Sequence, residues 1–268
     1  MWMVGRLLET GASSVRFENA EDPLNQLLEP YRIGSSRTPL AKMPFVHLAS
    51  DPELWTARDS NGDNIIDMDG NKRRRLTFLR EEATGRLAPG FAEYLTEPGQ
   101  ALKIVSELLN YQFPQTTHQE ILESAALPAN AAPTPHRDPA FTQELLKAYG
   151  YRCSFCGFDG RINGKPVGID AAHIKMHSRE GPDTVSNGLL LCVLHHRLFD
   201  RGAISITADF EILVSQSYDD SQTLDSPTVL ELVGKSIRMP QEGFDTPNPE
   251  FVTWHYENLF KEPSRVAA

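Results

Sequence analysis

Cys153-Ser154-Phe155-Cys156, then Ala171-Ala172-His173-Ile174, then Asn187-Gly188-Leu189-Leu190-Leu191-Cys192, then Val193-Leu194-His195-His196: this order, within residues 153–196, decides how the chain is to be read. Two cysteines two residues apart are answered by a cysteine and a histidine with the same spacing, Cys192 and His195. Threaded through the same stretch is a second polar set, His173, Asn187 and His196. The segment from Val193 to about Arg201 reads as a helix closed by Gly202. Successive residues on a helix point about 100° apart, so His195 and His196 cannot serve one point. The stretch therefore holds two sites that share a helix.

The first site follows from the residues alone. A C-x2-C turn presents two thiolates to one ion, and Cys192 with His195 repeats that presentation. Three sulfurs and an imidazole fill a tetrahedral shell, leaving no open position, which suits a structural Zn2+. Ordinary buried cysteines would not need paired spacing on both sides. A thioredoxin-like redox pair would need a βαβ context and would leave Cys192 unexplained.

Working outward, Asp138 with Pro139 opens a helix that ends at Gly150. Ile169–Ile174 and Leu189–Leu191 read as strands, Ala203–Val214 as a hairpin turning at Ala208-Asp209, and Pro249–Lys261 as a helix with Phe251, Trp254, Leu259 and Phe260 in its core. Residues 128–137, rich in Pro and Ala, read as a linker between a domain at 1–127 and a domain at 138–268. In the first half, residues 101–110 have helical apolar spacing and Pro114 ends that helix. Thr117 with Glu120 suggests a capping box. Lys42-Met43-Pro44-Phe45-Val46-His47-Leu48 reads as a short strand. The run Lys72-Arg73-Arg74-Arg75 reads either as a solvated loop or as a phosphate contact. The fold class is α+β.

Composition narrows the function classes. The chain has 268 residues, 40% hydrophobic and 23% charged, which fits two folded domains and excludes a disordered chain. No apolar run has the length of a membrane span, and residues 1–6 lack a secretory pattern, so a cytoplasmic protein is expected. Three cysteines do not make a disulfide scaffold. The net charge of −10 argues against a polyanion partner, but its distribution does not. Residues 1–134 carry 13 Lys/Arg and 18 Asp/Glu, residues 135–206 carry 9 and 7, and residues 207–268 carry 4 and 11. The motif segment is the one mildly basic part, and DNA binding requires a local basic surface rather than a basic average.

With these motifs in place, residues Asp138 to Val214 resemble the HNH endonucleases, a ββα-metal nuclease family, with a looser echo at Trp254-His255. The carrying residues are Ala171-Ala172-His173-Ile174, Asn187-Gly188-Leu189, and His195-His196-x-Leu198-Phe199-Asp200-x-Gly202. The spacings of 14 from His173 to Asn187 and 9 from Asn187 to His196 fit the family. The resemblance implies that His173 is the general base that deprotonates water, chemistry suited to a neutral imidazole. It implies that Asn187 either orients that base or ligates the metal. His196 would hold a catalytic Mg2+ or Mn2+ ion, and Asp200, one turn later on the same face, would complete that site. Many family members carry a ligand directly before the base, where this chain has Ala172. Lys175 and Arg197 flank the motif as candidate DNA contacts.

Residues 1–127 resemble, more loosely, the sulfur-binding domain that precedes HNH domains in bacterial restriction enzymes acting on phosphorothioate-modified DNA. Met43-Pro44-Phe45-Val46-His47-Leu48, Leu54-Trp55 and the helical stretch from Leu108 to Leu122 carry this resemblance. It implies an apolar pocket at Met43, Pro44 and His47. Sulfur is larger and more weakly hydrated than the oxygen it replaces, so an apolar contact can discriminate it. Family members carry an aromatic residue where Met43 stands and a basic helical segment ahead of Gly5-Arg6-Leu7-Leu8, so either a truncated start or a degraded reader domain is expected. The implied protein is a modification-dependent endonuclease of double-stranded DNA, and double-strand cleavage would favour a homodimer. Two other readings remain. In one, the HNH enzyme reads methylated or unmodified DNA. In the other, a zinc-bearing DNA-binding module has lost catalysis, as Ala172 and the acidic balance suggest.

Overall fold

The computed structural model describes residues 1–32, 39–68, 75–133, 138–220 and 229–266. Arg73 and Arg74, singled out above as DNA contacts, lie outside the described residues. The chain divides into two compact units. The first comprises Met1–Leu109 and His118–Pro133, the second Asn110–Thr117 and Thr134–Ala268. Each contains both helices and strands, as the α+β class requires.

In chain order the first unit contains α1 (Trp2–Thr10), β1 (Ser14–Arg16), α2 (Phe17–Leu28), α3 (Lys42–His47), β2 (Trp55–Arg58), α4 (Leu76–Glu82), β3 (Thr84–Leu87), α5 (Pro89–Thr96), most of α6 (Gln100–Gln112) and α7 (His118–Ser124). The three strands form an antiparallel sheet in the order β1-β3-β2. Alternation places Val15, Trp55, Ala57, Gly85 and Leu87 on its buried face. That face packs on Phe45, whose ring meets Trp55 edge-on at 5.5 Å and Phe17 at 5.0 Å. The Trp55 indole N–H donates to the Phe45 carbonyl at 2.9 Å. Gly85 is required here, because a Cβ at that position would lie 2.0 Å from the Trp55 ring.

Residues 42–48, expected as a strand, instead form the helix α3 up to His47 and a 3-10 turn from Leu48. The buried positions are Ala41, Phe45, Val46 and Ala49, while Met43 and Leu48 are 51% and 48% exposed. That pattern repeats every four residues rather than every two, and Pro44 lies in the first turn, where its missing N–H costs nothing. Ahead of α7, the Thr117 hydroxyl donates to the Pro114 carbonyl at 2.7 Å.

The second unit contains α8 (Pro139–Ala148), the short hairpin β4 (Arg161–Ile162) and β5 (Lys165–Pro166), the hairpin β6 (Ile169–His173) and β7 (Gly188–Cys192), α9 (Val193–Asp200), the hairpin β8 (Ile204–Ile206) and β9 (Ile212–Val214), and α10 (Pro249–Asn258). Asp138 caps α8 by accepting from the Ala140 N–H at 2.8 Å. β6 and β7 pair in a register that sets His173 opposite Gly188 and Ile169 opposite Cys192. Residues 188–191 are buried on both faces, which is why β7 reads as a continuous apolar run. α8 covers one side, where Leu145 would clash at 2.6 Å with a Cβ on Gly188. α10 buries Val252 and His255, and Phe260 is buried just beyond its end; Phe251, Trp254 and Leu259, also expected in its core, are half-buried.

Candidate functional site

Cys153, Cys156, Cys192 and His195 converge as their spacing suggested. Their donor atoms lie within 4.8 Å of one another, and among the described residues no other His/Cys/Asp/Glu group does so. The knuckle closes by a hydrogen bond from the Gly157 N–H to the Cys153 carbonyl, with Gly157 at a φ of +77°. From the first turn of α9, the His195 Nδ1 lies 3.2 Å from Cys192 Sγ and 3.6 Å from Cys153 Sγ. The donors fit Zn2+, since tetrahedral sulfurs around that ion lie about 3.8 Å apart. Hydrogen bonds from Cys156 and then Cys192 hold the Cys153 thiol far below its ordinary pKa. For His195, burial acts to lower the pKa, but the surrounding thiolates outweigh it and push the value up to about 9. Three sulfurs and one imidazole nitrogen in one cluster are a donor set suited to a cation.

The other polar set surrounds the open end of the β6–β7 hairpin. His173 ends β6, its ring stacked on Phe141 with centroids 4.4 Å apart. Its Nε2 lies 2.6 Å from Asp183 Oδ1, while His177 Nε2 lies 3.8 Å from Asp183 Oδ2. Burial is the largest influence on His173 and holds its pKa below the ordinary value, with Asp183 partly opposing it. The ring is therefore neutral near pH 7, the state a base requires. The Asp183 contact assigns the proton to Nε2 and leaves the Nδ1 lone pair to accept one.

Asn187 is fully buried and serves the intervening loop. Its Oδ1 accepts from the Lys175 N–H at 2.8 Å, and its Nδ2 donates to the Lys175 and Pro182 carbonyls, each at 3.0 Å. Gly181 fits into the same turn, where a Cβ would lie 1.9 Å from the Lys175 carbonyl oxygen. The asparagine thus closes the 175–187 loop, the loop that carries Asp183.

His196 points away from the cysteine cluster. Its Nε2 lies 3.5 Å from Asp200 Oδ2 and its Nδ1 lies 3.4 Å from Asp170 Oδ2. Two ligands sharing a divalent ion at about 2.1 Å lie about 3 Å apart, so His196 and Asp200 fit as a pair that could hold Mg2+ or Mn2+. Asp170 faces the opposite ring nitrogen and fixes the tautomer, as carboxylates behind metal-binding histidines do. Asp200 also accepts from the Thr116 hydroxyl at 2.5 Å, so residues 110–117 of this unit help aim it. Ala172, where a ligand was sought, is fully buried.

Asp183, His177 and Thr116 escaped the sequence reading. Asp183 and His177 lie in an irregular loop without periodicity, although an acid four residues before Asn187 was a usable signal. Thr116 lies 84 positions from Asp200 and offered none. Of the candidate DNA contacts, Met43, His47 and Arg75 are exposed and Pro44 is half-buried in the first unit; in the second, Arg197 is exposed and Lys175 half-buried.

Two family models match parts of the chain. Residues 153–207 match the HNH endonuclease family. Residues 1–130 match the ScoMcrA-like DNA sulfur-binding domain. No curated protein matches the chain. One solved structure, described as a modification-dependent TagI restriction endonuclease, aligns over 66% of this chain at 19% identity and a TM-score of 0.34; the chain spans 46% of that protein's length. Among the described residues no helix is long and apolar enough to cross a membrane. The chain joins an HNH endonuclease domain to a ScoMcrA-like DNA sulfur-binding domain.

Proposed function

We propose that this protein is a modification-dependent endonuclease that hydrolyses phosphodiester bonds in phosphorothioate-modified double-stranded DNA. The observation that carries the reading is the pairing of a neutral, carboxylate-held His173 with the His196–Asp200 pair in one unit. His173 takes the proton of the attacking water at Nδ1, and Asp183 holds the ring and steadies the imidazolium that forms. His196 and Asp200 would hold Mg2+ or Mn2+, which when bound would stabilise charge on the phosphate and the departing oxygen. Zn2+ at Cys153, Cys156, Cys192 and His195 would be structural. Asn187 acts through the loop that positions Asp183.

The first unit supplies the choice of target. Its exposed Met43 beside half-buried Pro44 supports an apolar contact with sulfur, and a cytoplasmic protein acting as a homodimer suits double-strand cleavage. The test is cleavage of end-labelled duplexes that are plain, methylated or phosphorothioated, with Mg2+ or Mn2+. Cutting confined to the phosphorothioate duplex is expected. Equal cutting of the plain duplex would reject the modification-dependent reading, and no cutting of any would reject the enzyme.

A further inference from the structure

The sheet of the first unit has a second face that differs in kind from its buried one. The registers set Arg16, Thr84 and Arg58 in one row across the three strands, and Ser14, Arg86 and Thr56 in the next. All six side chains alternate away from the core. Arg16, Arg58, Thr84 and Arg86 are exposed, and Ser14 and Thr56 half-buried. These rows thus present three guanidinium groups and three hydroxyls, with no carboxylate among the six, on a chain whose net charge is −10. Thr and Ser satisfy the strand alternation as well as any polar residue. The three arginines are what the alternation does not require.

The local contacts leave this charge available. Arg16 donates to the Glu81 carbonyl at 3.1 Å and lies 3.6 Å from Glu18, a pair more than half exposed on both sides and therefore weak. Arg58 donates to the Gly62 carbonyl at 2.6 Å. Each bond anchors part of a guanidinium that has five N–H donors. The Arg86 guanidinium makes no hydrogen bond or ion pair with any described residue. Strands in a sheet lie about 4.8 Å apart, so Arg16 and Arg58 stand about 10 Å apart across β3.

We propose that this sheet face is the surface on which the first unit grips the sugar-phosphate backbone of duplex DNA. Arg16, Arg58 and Arg86 neutralise phosphates, and Ser14, Thr56 and Thr84 donate to phosphate oxygens. The proposal rests on the reading of the first unit as a DNA-binding domain and adds where the backbone lies. Sulfur is sought at Met43 and Pro44 on α3, a different element, so the two contacts divide the work. The apolar site discriminates, while the arginines supply sequence- and modification-independent affinity.

The test uses the full chain without added divalent ion, so that nothing is cut, and fluorescence anisotropy of labelled plain and phosphorothioate duplexes across a salt series. Arg58→Gln and Arg86→Gln are compared singly and together with wild type and with Lys103→Gln, an equal charge change on the exposed side of α6. Each arginine variant is expected to weaken binding about threefold to tenfold at 0.1 M salt and to lower the slope of log affinity against log salt by about one. The ratio between the two duplexes should not move, and Lys103→Gln should bind as wild type does. If wild type binds but the arginine variants match Lys103→Gln, the sheet face is not the contact and the DNA-binding reading survives. A loss confined to the phosphorothioate duplex would also overturn the proposal. If wild type itself binds neither duplex, the reading of the first unit falls and the proposal with it.

Discussion

Asp183 Oδ1 lies 2.6 Å from His173 Nε2, and the same carboxylate turns its other oxygen toward His177. The first contact assigns the ring proton to Nε2 and leaves Nδ1 as the acceptor. Replacing His173 with Ala should lower the cleavage rate about a hundredfold to ten-thousandfold while zinc content and the melting curve stay unchanged. A wild-type rate in that variant would show that the base lies elsewhere.

Asp183→Asn should separate positioning from fold. Asp183 raises the pKa of His173 against the larger effect of burial, so its removal should move the acid limb of the rate profile to lower pH. The plateau rate should fall by about tenfold to a hundredfold. The check is the cleavage rate from pH 5 to 9. An unshifted limb with a lowered plateau would mean that Asp183 does not act through His173.

Removing the cysteine cluster should have a different signature. Cys153→Ser, or prolonged chelation, should unfold the second unit rather than slow it, because an ion held by that cluster would join the 153–157 knuckle to α9. The measurement is near-UV circular dichroism alongside zinc analysis. A native spectrum without zinc would contradict the structural role.

Acid should destabilise the second unit through His255. Its ring is fully buried against Phe199, Nε2–H donates to the Phe199 carbonyl at 3.1 Å, and Nδ1 accepts from the Ser205 hydroxyl at 2.9 Å. Burial pushes its pKa down to about 3, with the Phe199 bond partly opposing. The unfolded chain has the ordinary value near 6.5, so below that pH it takes up a proton that the folded state refuses. The associated stability is complete above about pH 6.5 and is lost, at about 1.4 kcal/mol per unit, as pH falls toward 3. Melting temperature across pH 4–7 should show this slope, and His255→Gln should flatten it.

Asn187→Asp should disturb the loop more than the change of one atom suggests. The substituted oxygen would face the Lys175 and Pro182 carbonyls that now accept from Nδ2. A cost of about 2–3 kcal/mol in stability is expected, with activity lost in step, because the loop that presents Asp183 loosens. Full stability with lost activity would indicate instead that Asn187 acts directly at the reacting centre.

These residues also show how far the sequence could be read. Cys153 with Cys156 and Cys192 with His195 were legible because each pair is spaced by a single local turn, and local geometry is what spacing encodes. The β6–β7 hairpin and α9 were legible for the same reason, through the alternation near His173 and the glycine after α9. Residues 42–48 were misread because Pro44 suits the start of a strand or of a helix, and only the burial of Ala41, Phe45 and Ala49 separates the two. Asp183 was missed because a loop held by Asn187 has no period, and Thr116 because its partner is 84 residues distant. The arginine rows of the sheet needed the pairing register, which no single strand reveals.

The adjacency of His195 and His196 has a consequence for how the second unit tolerates change. A helix turns about 100° per residue, so anchoring Cys192 and His195 in one shell sets the azimuth of α9 about its own axis. His196 and Asp200 inherit their direction from that setting, and their contacts with Asp170 and Thr116 then hold it. One residue inserted between Cys192 and His196 would rotate every later side chain of α9 by a quarter turn or more while leaving each of them chemically intact. The interval from Cys192 to His196 is therefore the least adjustable distance in the second unit.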